Sequence, residues 1–134
     1  MGGEALMTIK KALVLFAHGA RDPRWAQPFQ KLQKIAQSNL PTTAVELAFL
    51  ELMEPRLPAV VSQLAERGCT EIDVVPVFLG QGGHVLRDLP PMIESLRAQY
   101  PTVSLHVSDA VGESPEVLDA IAAYCVSRIQ DSAN

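Results

Sequence analysis

The chain has 134 residues, enough for one ordinary hydrophobic core and too few for two. Hydrophobic residues make up 48% and charged residues 19%, the balance of a globular rather than a disordered protein. A net charge of −4 with only 5% aromatic residues excludes the broad basic face with stacking platforms that nucleic-acid binding requires.

No apolar segment approaches bilayer-spanning length, and the apolar run from Ala12 to Ala17 is too short for a signal-peptide core. Gly2 does not open a myristoylation motif, because Leu6 stands where Ser or Thr is needed. Cys69 and Cys125 form neither a metal-ligand spacing nor a disulfide framework. These features lead us to expect two reduced thiols, a cytoplasmic protein and no membrane partner.

Residues 1–8 carry no periodic signal and read as a frayed N-terminus, with Met7 an alternative start; residues 9–134 read as a single α/β domain. Lys11 to Ala17 is the first buried strand. It runs into His18-Gly19-Ala20-Arg21-Asp22-Pro23, where Asp22 and Pro23 have the chemistry of an N-cap and a first helical residue. In the helix that follows, Trp25, Phe29, Leu32 and Ile35 form one apolar stripe. Pro41 closes the connection.

Ala44 to Leu50 is the second strand and delivers Glu51 at its carboxyl end. A second helix is expected from Glu54-Pro55, with Leu57, Val60, Val61 and Leu64 on one side and Gly68 as a left-handed C-cap. The run from Ile72 to Leu79 is rich in β-branched residues and reads as a strand buried on both faces. The turn Gly80-Gln81-Gly82-Gly83 and His84 follow. Asp88 is expected to cap a third helix, with Pro90 or Pro91 in its first turn and Ile93, Leu96 and Tyr100 on its apolar side. Val103 to Val107 alternates as an edge strand does. Ser114-Pro115-Glu116 starts a last helix through about Ile129, with Val117, Ile121 and Cys125 spaced by four.

Four β-α units in succession require parallel strands and right-handed crossovers. The expected architecture is a three-layer α/β sandwich with a four-stranded parallel sheet in the order 2-1-3-4. In that order the switch-point crevice lies between the carboxyl ends of strands one and three, where ligands bind in open sheets. His18 leaves strand one there and His84 leaves strand three there. Two imidazoles converging on one crevice are suited to hold a divalent first-row metal. A closed structural zinc site is disfavoured, because no cysteine is near.

The remaining candidates are less specific. Glu51 is either an exposed loop acid or a proton acceptor at the crevice. Arg21, Arg24 and Arg87 lie around the same edge and are placed to pair with anionic groups, although surface arginines are commonly just solvated. The glycine turn 80–83 can present backbone N–H groups, but no Gly-Lys-Ser/Thr follows, so it is not a P-loop. His106, on the polar face of the edge strand, reads as a solvated histidine.

Three blocks, HGARDPRW (18–25), AFLELMEP (48–55) and VVPVFLGQGGHVLRDLP (74–90), together resemble the small, single-domain type II chelatases of sirohydrochlorin. These are the cobaltochelatases and ferrochelatases of cobalamin and sirohaem synthesis. The similarity runs from about residue 11 to 125. It implies a half-chelatase unit that forms a homodimer with a sirohydrochlorin-type tetrapyrrole held between protomers. The metal, Co²⁺ foremost or Fe²⁺ or Ni²⁺, is then a substrate, and no cofactor is bound permanently. The resemblance assigns the metal-binding and catalytic histidines to His18 and His84, and the acidic position to Glu51. Arg21, Gly82, Gly83 and Arg87 are the expected substrate contacts. Ala20 departs from the serine common in the family and removes a hydrogen bond beside His18.

Two other readings are distinguishable. A histidine phosphatase needs an arginine directly before its histidine, and Ala17 stands there. A metal or tetrapyrrole carrier would use the same residues without accelerating metallation.

Overall fold

A computed structural model describes residues 9–80 and 82–133; of His84, Leu86 and residues 131–133 it describes the backbone alone. The expected frayed segment, residues 1–8, lies outside the described residues. Four strands form one parallel sheet: β1 (Lys11–Ala17), β2 (Ala44–Phe49), β3 (Glu71–Pro76) and β4 (Ser104–Val107), in the order β2-β1-β3-β4. Leu15 of β1 lies opposite Leu47 of β2 on one side and Val75 of β3 on the other. Four α-helices connect or follow the strands: α1 (Gln27–Asn39), α2 (Leu57–Glu66), α3 (Gly83–Gln99) and α4 (Pro115–Ala133). No helix among the described residues is long and apolar enough to cross a membrane.

The side-chain alternation of the strands divides the core in two. One face of the sheet carries Ala12, Val14, Phe16, Ile72, Val74 and Leu105, packed beneath α2 and α3. Phe16, Leu57, Leu64 and Ile72 are fully buried here, and each such side chain contributes roughly 1.5–3 kcal/mol. By contrast the ion pairs Lys11–Glu71 (3.9 Å) and Arg67–Glu46 (3.5 Å) are solvent-exposed and contribute at most about 1 kcal/mol each. Apolar burial on this face therefore outweighs the surface charges. Arg97 ties α3 to the edge strand, donating from Nε and Nη2 to the Leu105 carbonyl at 3.1 and 2.8 Å.

Among the described residues, the opposite face is covered by α1, over β1 and β2. There Leu15, Ala17, Val45, Leu47 and Phe49 pack with Trp25, Phe29, Ala36 and Leu40. Gln33 and Gln37 fix α1 to this half: the Gln33 amide donates to the Val45 carbonyl at 2.9 Å, and the Gln37 side-chain oxygen accepts from Val45 N–H at 3.0 Å.

Several boundaries differ from expectation, each for a physical reason. β3 ends at Pro76 rather than Leu79 and is buried on one face only: Ile72, Val74 and Pro76 are buried, whereas Asp73 is exposed and Val75 half-buried. Helix α3 starts at Gly83, with Gly82 as its N-cap, so Asp88, Pro90 and Pro91 are interior rather than capping. Burial of Val85 in the main core anchors this earlier start, at the cost of two helical N–H donors lost at the prolines. Helix α2 begins at Leu57 with Pro58 in its first turn, two residues after Pro55. The stripe expected on α1 is only partly used, since Leu32 and Ile35 are exposed while Ala36 and Leu40 take the sheet contacts. The described apolar side chains of α4 have no buried member.

Cys69 and Cys125 are both free, as expected; Cys69 is buried and Cys125 exposed. The Cys69 thiol meets the carbonyls of Lys10 and Glu71 at 3.4 and 3.3 Å, and burial pushes its pKa up. Because the thiolate is the reactive form, Cys69 in a Cys125→Ser variant should resist Ellman's reagent at pH 8. It should react stoichiometrically once denaturant is added. Fast labelling of the native variant would contradict this burial.

Candidate active site at the carboxyl edge of the sheet

The chain leaves β1 through His18 and Gly19, and β2 through Leu50 and Glu51. Strand-like pairing continues past both strand ends: Leu50 N–H donates to the Ala17 carbonyl at 2.8 Å, and Glu51 N–H to the His18 carbonyl at 3.0 Å. Gly19 then turns away with a φ of +99°, a region that favours glycine. A Cβ at Gly19 would lie 1.8 Å from the Glu51 carbonyl oxygen. The first two β-α loops are thus locked together, and no other residue type fits at the lock.

The third loop joins them through Phe78. This residue is buried, and its ring stacks on His18 with centroids 4.3 Å apart and planes inclined by 38°. Phe78 also contacts Phe16 at 6.0 Å, so the half-buried imidazole rests on an aromatic column rooted in the core. Val77 N–H donates to the Phe16 carbonyl at 2.7 Å, keeping β1 and β3 paired to this point. Behind the loop, Gly112 approaches so closely that a Cβ there would lie 1.9 Å from the Leu79 carbonyl oxygen.

The structure brings His18 and Glu51 together through the backbone, with both residues half-buried. His84 is the second residue of α3, the helix that follows β3 and its loop; its side chain lies outside the described residues. Gly82 and Gly83 are exposed at the start of α3. Added Cβ atoms at Gly80, Gly82 and Gly83 would meet nothing within 4 Å, and none of the three has a left-handed φ. These glycines, unlike Gly19 and Gly112, are not required by the fold. The sites expected for an anion differ among themselves. Arg24 is committed to Asp22, its Nη2 reaching Oδ2 at 2.6 Å, which lowers the Asp22 pKa and raises that of Arg24. Arg87 lies 3.7 Å from Asp88 and is largely exposed, as is Arg21. His106, on β4, is exposed and away from this edge.

Three residues at the edge escaped the sequence reading. Phe78 sets the His18 ring, and Leu52 and Leu79 present exposed apolar side chains, 54% and 64% accessible. Leu52 also has a φ of +68°, uncommon for a branched residue and associated with functional sites. An available signal was the run of large apolar residues continuing past each strand's carboxyl end. The edge therefore combines an imidazole on an aromatic support, a carboxylate, exposed leucines and the open glycines Gly80, Gly82 and Gly83. Such a surface offers a ligand one supported imidazole, one carboxylate and apolar contact area.

Comparison with known proteins bears on this geometry. The family model CbiX matches residues 12–128. A sirohydrochlorin cobaltochelatase of Methanopyrus kandleri is 40% identical over 82 residues, covering 61% of this chain and 57% of its own. The sirohydrochlorin ferrochelatase of Bacillus subtilis is 27% identical over 113 residues, covering 84% of this chain and 43% of its own. The chain thus spans about half the length of these two relatives, 57% of one and 43% of the other. Among solved structures, a putative cobalamin biosynthesis CbiX protein from Marinobacter aquaeolei superposes with a TM-score of 0.80 at 30% identity, covering 90% of this chain and 98% of that one. The chelatase SirB from Bacillus subtilis subspecies spizizenii, in complex with cobalt, superposes with a TM-score of 0.75 at 26% identity, covering 92% and 51%.

The two classes of glycine are separable by experiment. Gly19→Ala combines a left-handed φ with a backbone clash, and thermal unfolding should show a loss of roughly 2 kcal/mol or more. Gly83→Ala sits in a helix with open space around it and should melt as the wild type or slightly higher.

Proposed function

The chain belongs to the CbiX family, and from that premise we propose that it inserts a divalent metal into sirohydrochlorin. Co²⁺ is the first choice, with Fe²⁺ or Ni²⁺ as alternatives. The observation that carries this reading is His18 held on Phe78 at the β1–β3 switch point, beside glycines that the fold does not need. The relatives are named for cobalt and iron insertion, and the geometry suits the same chemistry.

Insertion exchanges two pyrrole protons for one M²⁺, so a chelatase must bind metal loosely and accept protons. His18 and His84 hold the incoming ion through imidazole nitrogen, a ligand that cobalt, iron and nickel all accept. Two imidazoles leave the remaining coordination positions to water and then to the macrocycle. As the metal passes to the pyrrole nitrogens, His18, His84 or Glu51 takes the released protons. Leu52 and Leu79 lie against the macrocycle's apolar surface, and Gly82 and Gly83 let its plane come close to the backbone. Arg21 and Arg87 offset its peripheral carboxylates, which the chain's net charge of −4 would otherwise repel. One such unit encloses one side of the ligand, and a second protomer completes the enclosure. The protein acts in the cytoplasm, without membrane or nucleic-acid partners and without a resident cofactor.

The test is anaerobic metallation of sirohydrochlorin followed by absorption, with Co²⁺, Fe²⁺ and Ni²⁺ in parallel against an enzyme-free control. At least one metal should be inserted faster than in the control. His18→Ala and His84→Ala should each lower that rate by roughly 10²-fold or more while keeping the native circular dichroism spectrum. Undiminished rates in both variants would remove the histidines from the mechanism. Stoichiometric binding without any acceleration would replace the enzyme by a carrier.

A further inference from the structure

Two leucines bracket His18 at the carboxyl edge. β1 runs between β2 and β3 in the sheet, so the loops that follow those two strands flank the imidazole. Glu51 N–H donates to the His18 carbonyl at 3.0 Å, and Leu52 is the next residue. The Phe78 ring stacks on the His18 ring, and Leu79 is the next residue. Each leucine thus stands one residue beyond a direct contact with His18, and the two are 54% and 64% accessible. Their strands lie two sheet spacings apart, roughly 10 Å.

The loop that carries Leu52 is pinned at every other point. Leu50 before it and Leu57 after it are buried in the main core. Phe49 N–H donates to the Pro55 carbonyl at 2.9 Å, and Arg56 Nε donates to the Leu50 carbonyl at 3.0 Å, which closes the loop at its base. Met53 packs inward against the cluster beneath α1, with Trp25 and Phe49. With Leu50 and Met53 both turned inward and Glu51 N–H held by β1, the chain passes through a φ of +68° at Leu52. Its side chain is left in solvent.

Neither feature favours leucine there. A left-handed backbone disfavours a residue with a Cβ, and glycine or asparagine adopts it more readily. Leu52 is the one non-glycine with a positive φ among the described residues. An exposed alkyl chain, moreover, gains little from burial within its own fold. Strained backbone of this kind gathers at ligand clamps. Leu79 is fixed by a separate route: Gly112 N–H donates to the Phe78 carbonyl at 2.9 Å, and a Cβ at Gly112 would strike the Leu79 carbonyl. Both leucines are therefore presented by anchored backbone.

We infer that Leu52 sets the affinity for the macrocycle and not for the metal, its strained backbone serving to hold an alkyl group against a pyrrole ring beside His18. The inference rests on the tetrapyrrole reading of the proposed function and assigns the discrimination between the two substrates to one residue. A small hydrated cation gains nothing from an alkyl contact. A flat aromatic ring does, by withdrawing apolar surface from water. Leu79, on the far side of His18, supplies the matching contact.

Three variants separate the contact from the strain. Leu52→Ala removes the side chain alone, Leu52→Gly removes it and relieves the backbone, and Leu52→Met restores an alkyl chain. Circular dichroism should show the native fold in all three. Leu52→Gly should melt above Leu52→Ala and no lower than the wild type. In absorption titrations with metal-free sirohydrochlorin, Leu52→Ala and Leu52→Gly should bind roughly five- to tenfold more weakly, the factor that burying the exposed half of a leucine corresponds to. The macrocycle KM should rise by the same factor, while kcat and the Co²⁺ affinity by equilibrium dialysis stay within about twofold. Leu52→Met should recover most of the macrocycle affinity. Unchanged macrocycle binding in Leu52→Ala and Leu52→Gly, beside a wild type that binds sirohydrochlorin, would overturn the inference and leave the proposed function standing. A parallel loss of Co²⁺ affinity would overturn it as a general disturbance of the His18 site. Leu52→Gly melting below Leu52→Ala would remove the strain on which it stands. A wild type that binds no sirohydrochlorin would overturn both the inference and the proposed function.

Discussion

The candidate site depends on one contact, the approach of Gly19 to the Glu51 carbonyl. Everything at the carboxyl edge follows from it. Because no side chain intervenes, the ladder between β1 and β2 extends two residues beyond the strands, through Leu50 to Ala17 and Glu51 to His18. His18 is therefore held by the backbone of a neighbouring strand rather than by the flexibility of its own loop. Phe78 then supplies what backbone bonds cannot, a fixed surface for the imidazole ring. A ligand group positioned this way is preorganised by rigid elements, the condition that catalytic geometry requires.

The glycines separate structural from functional demands. Gly19 and Gly112 answer to the fold, since side chains there would strike backbone, and Gly68 answers to a helix end with a φ of +87°. Gly80, Gly82 and Gly83 answer to nothing among the described residues. Glycine carries an entropic cost wherever a side chain would fit. Three such positions in and before the start of α3 leave open space on that side of the chain.

Much of this was legible in the sequence. The four β-α units dictated the sheet order, the limits of β1 matched from Lys11 to Ala17, and Asp22 caps the 3-10 turn Pro23–Ala26 as its position suggested. Local signals failed where tertiary burial overrode them. Asp88 and the two prolines have the chemistry of a helix start, but Val85 had to reach the core and drew the helix back to Gly83. The apparent double burial of β3 rested on composition, whereas Asp73 in its middle already marked one face as open. The apolar residues continuing past the strand ends signalled something about Phe78, Leu52 and Leu79, but the stacking of Phe78 on His18 and the exposure of the two leucines depend on how three loops meet.

The half-sheet beyond α1 and the site are not independent regions. β3 joins them: Val75 borders the open half-sheet, Val77 packs against the cluster beneath α1, and Phe78, the next residue, supports His18. The joint that leads into α4 is itself bonded to the same loop, through Gly112 to the Phe78 carbonyl. The chain's own joint thus holds the loop that carries the aromatic support, coupling the seat of α4 to the position of the histidine.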